Sequence, residues 1–219
     1  MKALLLTLLT LTLLADDPKS GDTTEAFLNV NSQSSSIRYE MRYAGTDNFI
    51  GSPVDGYEEP ICYLTKEAAI AVQKVQASLQ KEGQTLRVYD CFRPQRAVDH
   101  FVRWAKELND TKMKSAYYPG VNKKELFKLG YIAAKSGHSR GSTLDLTIDG
   151  LDMGTPFDFF DPRSHTESDA VTKEQHKNRM RLKKVMEENG FQNYAEEWWH
   201  FTLKDEPFKE RYFDFAIKQ

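Results

Sequence analysis

Hydrophobic and polar residues alternate from Ile37 to Tyr43. Ile37, Tyr39, Met41 and Tyr43 share one face, and Arg38, Glu40 and Arg42 share the other. Strand side chains point to opposite faces in turn, so this period of two predicts a half-buried strand. After a loop carrying Gly51, Pro53 and Gly56 the period lengthens. Ala68, Val72, Val75 and Leu79 fall at helical spacing behind Thr65, a good N-cap, and Gly83 marks the stop. Leu86 to Cys91 reads as a second strand running into Phe92-Arg93-Pro94. Pro94 suits the first helical position, and Ala97, Val98, Phe101, Val102, Ala105 and Leu108 give the following helix an apolar stripe. Asn109 to Lys128 is polar and reads as a surface excursion around Tyr117-Tyr118-Pro119-Gly120.

Ser142 to Ile148 alternates again, with Leu144, Leu146 and Ile148 inward and Thr143, Asp145 and Thr147 on the opposite face. A Pro- and Asp-rich loop follows from Asp149 to about Ala170. Thr172 and Gln175 then make a capping box for a helix that stops at Gly190. A last strand is centred on Trp198-Trp199-His200. Residues 37 to 219 hold no internal repeat and no linker, so these elements form one α+β domain.

The N-terminus has a different character. Lys2 precedes an uncharged run of Leu, Ala and Thr from Ala3 to Ala15, followed by Asp16-Asp17-Pro18. A membrane span needs about 20 apolar residues. The run is shorter and matches a secretory signal peptide over residues 1–15, with Ala15 before the cut. A buried N-terminal helix is the alternative. Residues 16–36, rich in Asp, Ser, Thr and Asn, read as a flexible segment. Export places the protein in the periplasm or outside the cell, where an oxidising compartment would let Cys62 and Cys91 form a disulfide. That loop is worth about 3–4 kcal/mol in the chain-entropy model. Otherwise the two are buried thiols. No Cys-x-x-Cys and no neighbouring His accompanies either, which argues against zinc binding through them.

Composition narrows the partners. Thirty Lys and Arg against 32 Asp and Glu leave a net charge of −2, without the basic footprint of a nucleic-acid binder. With 40% hydrophobic and 28% charged residues, the chain is neither a multi-span membrane protein nor a disordered tail. A soluble domain acting on something small remains, with no stable membrane insertion once the leader is removed.

Of the five histidines, His100 and His176 fall in helices and need no functional explanation, while His165 lies in the long loop and could line a cleft. His138 stands apart, in the small-residue loop Ser136-Gly137-His138-Ser139-Arg140-Gly141 just ahead of the strand that presents Asp145. A His and an Asp so placed can converge on one zinc ion, at about 2.0–2.2 Å each. Alternatively, His138 is exposed in a turn and Asp145 pairs with an Arg. His200 is the best third ligand, and three protein ligands leave a position for water, the catalytic arrangement. A base is then required, and Glu197, a carboxylate close before His200 that is not needed as a ligand, is the natural choice. In a regular strand an offset of three turns Glu197 away from His200, so periodicity favours Glu196 unless a bend precedes the strand. Arg93, at a strand–helix junction, could bind a carboxylate or stabilise an oxyanion, or serve a structural ion pair.

These residues carry a resemblance. Ser-x-His-x-x-Gly-x-x-x-Asp over Ser136 to Asp145, with Glu-x-x-His over Glu197 to His200, resembles the zinc D,D-peptidases of the cell wall. The segments Asp90-Cys91-Phe92-Arg93-Pro94 and Met153 to Asp161 narrow the resemblance to the VanX-type D-alanyl-D-alanine dipeptidases. It runs from about Ile37 to the C-terminus and implies a single α+β domain with a central antiparallel sheet flanked by helices, the fold of zinc D,D-peptidases and hedgehog-like domains. It further implies one Zn(II) per chain held by His138, Asp145 and His200. Glu197 would be the general base, activating the zinc-bound water, and Arg93 would stabilise the transition state. Ser136 and Asp158 would hold the free amino group of a small D-amino dipeptide. The expected activity is hydrolysis of D-Ala-D-Ala in cell-wall peptide turnover. Thr143 departs from the Ala common in the family, and the leader departs from its many cytoplasmic members. A zinc D,D-carboxypeptidase or endopeptidase acting on peptidoglycan stems would share the metal triad. A non-catalytic binder of wall peptides would have no need of Glu197 and Arg93.

Overall fold

The computed structural model describes residues 23–219, so the signal peptide expected at 1–15 and positions 16–22 lie outside the described residues. In chain order the elements are β1 (Phe27–Asn29), α1 (Val30–Gln33), β2 (Arg38–Tyr39), β3 (Tyr63–Thr65), α2 (Lys66–Gln80), β4 (Leu86–Asp90) and α3 (Gln95–Lys106). Then come α4 (Lys114–Tyr117), β5 (Thr143–Ile148), α5 (Lys173–Glu188), β6 (Phe191–Asn193) and β7 (His200–Leu203). Five strands form the main sheet in the order β2-β4-β5-β7-β6. Only β2 runs parallel to its neighbour, and the other pairings are antiparallel. β1 and β3 make a separate antiparallel pair. This is the expected α+β domain, with its mostly antiparallel sheet among helices.

Local signals explain most elements. The Thr65 side chain caps α2 by accepting from the Ala68 amide, and Val72, Val75 and Leu79 are buried along one stripe. The Thr172–Gln175 capping box opens α5 as its sequence predicts. On β5, Leu144, Leu146 and Ile148 join the main core, which also takes in Leu182 and Met186 of α5. Thr143, Asp145 and Thr147 on the other face are buried as well, because that face carries the site.

Several expectations need correction. The segment read as flexible is ordered from Phe27 onward. Phe27 and Val30 are buried, the Asn29 side chain caps α1, and Val30 N donates to the Cys62 carbonyl at 2.9 Å. Polar neighbours mask these two apolar anchors. Ile37, Met41 and Tyr43 are buried as expected and Tyr39 only partly, but only Arg38 and Tyr39 pair, since a 3-10 turn starts at Arg42. Pro94 is the N-cap of α3 rather than its first residue. Leu108 lies beyond the helix end and is exposed, while Trp104 fills the core. In the polar stretch after Asn109, Tyr117, Tyr118 and Leu126 are buried. Buried Lys123 is held there by the carbonyls of Glu107 and Asp110, each at 2.7 Å. The final strand is a β6–β7 hairpin whose second strand begins at His200.

Two features fix the surroundings of the site. Cys62 and Cys91 are joined in a disulfide, linking the approach to β3 with the end of β4. The 149–170 loop wraps the wholly buried Arg179, whose guanidinium donates to the carbonyls of Met153, Arg163 and His165 at 2.6–2.8 Å. Burial pushes Arg179 down to about 10, against the opposing charge of Asp152.

Candidate active site

Strand register supplies the first part of the site. Asp90 on β4 faces Asp145 on β5, and Asp145 faces His200 on β7. Residues directly opposed in a sheet share a face, so three titratable side chains form one row across the central strands.

His138 joins them from a connecting turn. Ser136 Oγ accepts from the His138 amide at 3.3 Å and starts a 3-10 turn that ends at Gly141 with φ +84. A Cβ on Gly141 would lie 2.2 Å from the Phe27 ring, so both the conformation and the packing require glycine. The buried imidazole places Nδ1 2.7 Å from the Cys91 carbonyl. A carbonyl only accepts, which assigns the hydrogen to Nδ1 and leaves the Nε2 lone pair facing the row.

Three donor atoms meet there. His138 Nε2 is 3.3 Å from Asp145 Oδ1 and 3.3 Å from His200 Nδ1, and His200 Nδ1 is 3.1 Å from Asp145 Oδ1. None of these approaches satisfies Asp145 Oδ1, a buried oxygen with no hydrogen-bond partner. A buried unsatisfied carboxylate oxygen is costly, and a cation between the three groups removes that cost. Two imidazole nitrogens and one carboxylate oxygen are a donor set suited to zinc. Burial acts to raise the Asp145 carboxyl, but the adjacent imidazoles prevail and hold it below the usual carboxylate range.

Glu197 stands beside this triad, with Oε2 3.3 Å from His200 Nδ1. The odd-offset argument does not apply, because β7 starts at His200 and Glu197 belongs to the turn before it. The Asn193 side-chain amide ties that turn by donating to the carbonyls of Glu197 and His200 at 3.1 and 3.0 Å. Glu196 is exposed and accepts from the Tyr194 hydroxyl, so the residue favoured by periodicity is turned away from the triad. Burial pushes the Glu197 carboxyl up to about 6, against the opposing pull of His200.

Arg93 is anchored by Asp90 Oδ2, at 3.0 Å from Nε and 2.8 Å from Nη2, and Nη2 lies 3.6 Å from Asp145 Oδ2. Its guanidinium sits over the rings of Tyr43 and Phe101 at 5.0 and 5.1 Å. Asp90 also accepts from Tyr57 Oη at 2.6 Å. Asp158 is buried, in the left-handed region at φ 59, and accepts from Tyr43 Oη at 2.7 Å. Burial, followed by the charge of Asp145, pushes its carboxyl well above the ordinary range. A buried carboxylate beside the triad, with its carboxyl so raised, makes Asp158 a candidate functional position.

A pocket of about 240 Å³ unites Arg93, Ser136, Asp145, Asp158, Glu197 and His200. His165 is not among its lining residues, and its carbonyl serves Arg179 instead. His100 pairs with Asp55 and His176 with Glu167. Sequence reasoning missed Tyr43, Tyr57 and Asp90. The available signal was Asp90, a carboxylate closing a strand of mostly buried residues next to Arg93.

The family model described as Peptidase_M15, D-ala-D-ala dipeptidase, matches residues 23–218. The chain is 43% identical over 197 residues to a D-alanyl-D-alanine dipeptidase of Enterococcus faecalis, covering 87% of this chain and 98% of the relative. A Streptomyces coelicolor protein of the same description is 42% identical, covering 89% and 99%. One from Escherichia coli is 31% identical, covering 76% and 79%.

Proposed function

This chain belongs to the D-alanyl-D-alanine dipeptidase family, and on that premise we propose that it hydrolyses D-Ala-D-Ala to two D-Ala, with zinc held by His138, Asp145 and His200. When bound, the ion supplies Lewis acidity, polarising a carbonyl and lowering the pKa of water. Glu197 adjoins the triad without being one of its three donors, and takes the proton of the attacking water. It then returns that proton to the nitrogen of the departing D-Ala, the usual double duty of a general acid–base carboxyl. Arg93, held by Asp90 and by two aromatic faces, presents a fixed positive charge to the oxygen of the tetrahedral intermediate. Ser136 and Asp158 receive the substrate ammonium.

The observation that carries this reading is the buried carboxylate of Asp158 in the same small pocket as Asp145, His200 and Glu197. An incoming ammonium supplies the cation that its ionised form lacks. An amide in that place, as in a longer peptide, leaves the carboxylate unpaired in a dry site. A role in cell-wall peptide turnover outside the cytoplasm is supported by the leader composition and by the Cys62–Cys91 bridge, which suits an oxidising compartment.

The test is D-Ala release by purified, zinc-loaded protein from D-Ala-D-Ala and from a stem pentapeptide ending in D-Ala-D-Ala. Release from the dipeptide alone is expected. Release from the pentapeptide would move the protein to the carboxypeptidases, and bound zinc without any hydrolysis would make it a binder.

A further inference from the structure

We infer that the Cys62–Cys91 disulfide is a positioning element of the metal centre: it fixes the Cys91 carbonyl against His138 Nδ1 and thereby sets the affinity of the site for zinc. The inference rests on the reading of His138, Asp145 and His200 as zinc ligands.

Chain geometry around Cys91 carries the argument. The β4–β5 ladder shifts register between Val88 and Asp90 and ends at Asp90 opposite Asp145. One residue further on, the chain has left the sheet, and the Cys91 carbonyl is the close acceptor for His138 Nδ1 at 2.7 Å. Asp90 Oδ2 is the other acceptor nearby, at 3.4 Å, and it already accepts two hydrogen bonds from Arg93. The tautomer and ring orientation of His138 therefore depend on where Cys91 sits.

Cys91 in turn is held from outside the main sheet. Its partner Cys62 is fixed by the N-terminal elements, accepting from Val30 N at 2.9 Å and donating its amide to Asn31 Oδ1 at 2.8 Å. The disulfide is the covalent link from that unit to the carbonyl behind the ligand. Two backbone bonds assist, Phe92 N to Tyr63 O at 2.9 Å and Arg93 N to His138 O at 3.4 Å. Both cysteines are buried at 1% exposure or less, so the bridge is part of the packed interior and not an exposed redox contact.

Hydrogen-bond partners behind a metal-ligating imidazole fix its tautomer and orientation, and their loss typically costs 10- to 100-fold in metal affinity. In the dithiol form the chain is thus a poorer zinc protein. On oxidation the two thiols lose two protons and two electrons to a small disulfide, which is reduced to two thiols. Full zinc affinity follows that step and accompanies arrival in an oxidising compartment.

The test measures zinc affinity by competition with a chromophoric chelator, without substrate, for wild type, for Cys62→Ser/Cys91→Ser and for Leu182→Ala as a destabilised control. Leu182 is a buried core residue of α5 outside the pocket lining. The double variant should bind zinc 10- to 100-fold more weakly, with Leu182→Ala within about twofold of wild type. Equal affinity in the double variant, or equal loss in both variants, overturns the inference and leaves the bridge as a plain staple. Should the double variant not fold, nitrogen-15 NMR of the histidines in oxidised, zinc-free wild type gives an independent reading. His138 protonated at Nδ1 supports the inference, and protonation at Nε2 overturns it. Wild type that binds no zinc refutes the metal-site reading instead.

Discussion

Replacing Asp158 by Asn removes one negative charge and almost no volume, which isolates the recognition of the substrate amino group. Asp158 is buried, so its ion pair with an ammonium is formed out of water. Hydrogen bonds to charged groups contribute about 1.5–3 kcal/mol, equivalent to roughly 10- to 150-fold in kcat/KM at 1.36 kcal/mol per decade. The variant should keep its fold. Asn tolerates the left-handed backbone as well as Asp does, and its carbonyl oxygen can still accept from Tyr43 Oη. Burial already raises the Asp158 carboxyl in the free protein, so neutralising it removes a desolvation cost and Tm should hold or rise slightly. The assay compares kcat/KM for D-Ala-D-Ala and its N-acetyl derivative in wild type and Asp158→Asn. The free dipeptide should lose about 10- to 150-fold by the same hydrogen-bond scale, with the acetylated one unchanged, so that discrimination collapses. Equal loss on both substrates would mean that Asp158 shapes the pocket without reading the amine, and no loss on either would refute the assignment.

Glu197→Ala should retain zinc, by elemental analysis, and lose at least about 10²-fold in turnover, the usual scale for a general base; normal turnover would refute that role. Because Glu197 must be ionised to accept a proton, kcat/KM in wild type should rise with pH through an acid limb at or below about 6, the bound cation pulling the carboxyl down from its metal-free value. An acid limb clearly above 6 would assign it to another group. His200→Ala removes one of the three donors and should purify with substoichiometric zinc; full metal content would displace His200 from the site. Gly141→Ala forces a Cβ to 2.2 Å from Phe27 at a left-handed backbone position, and should cost about 1–3 kcal/mol, read as a lowered Tm. An unchanged Tm would mean that the turn can re-form around Ala.

What could be read from the sequence and what could not divide along one physical line. Periodicity and capping are local, so the β5 alternation, the Thr65 cap and the Thr172–Gln175 box were legible without the fold. Phe27 was not, because its burial comes from packing against Gly141, Phe92 and Phe213, all distant in sequence. The Glu196 or Glu197 question is similar in kind. Alternation gives the right rule for a strand, but only the Asn193-tied turn decides where the strand begins. The role of Asp90 could not be read although the residue stands in a recognised segment, because it arises from strand order: β4 must lie beside β5 before Asp90 can stand behind Arg93 and His138. The site is therefore built from two kinds of support. Sheet register fixes Asp90, Asp145 and His200, whereas Arg93 and His138 sit on connections that have left the strands and rely on hydrogen bonds and the disulfide. Register cannot slip by one residue without turning every side chain to the other face, so the row of carboxylates and His200 persists as long as the sheet does. The connections can shift while the sheet stays intact, and the two groups they carry, the proposed metal ligand His138 and the proposed substrate-facing cation Arg93, are where function should fail before folding does.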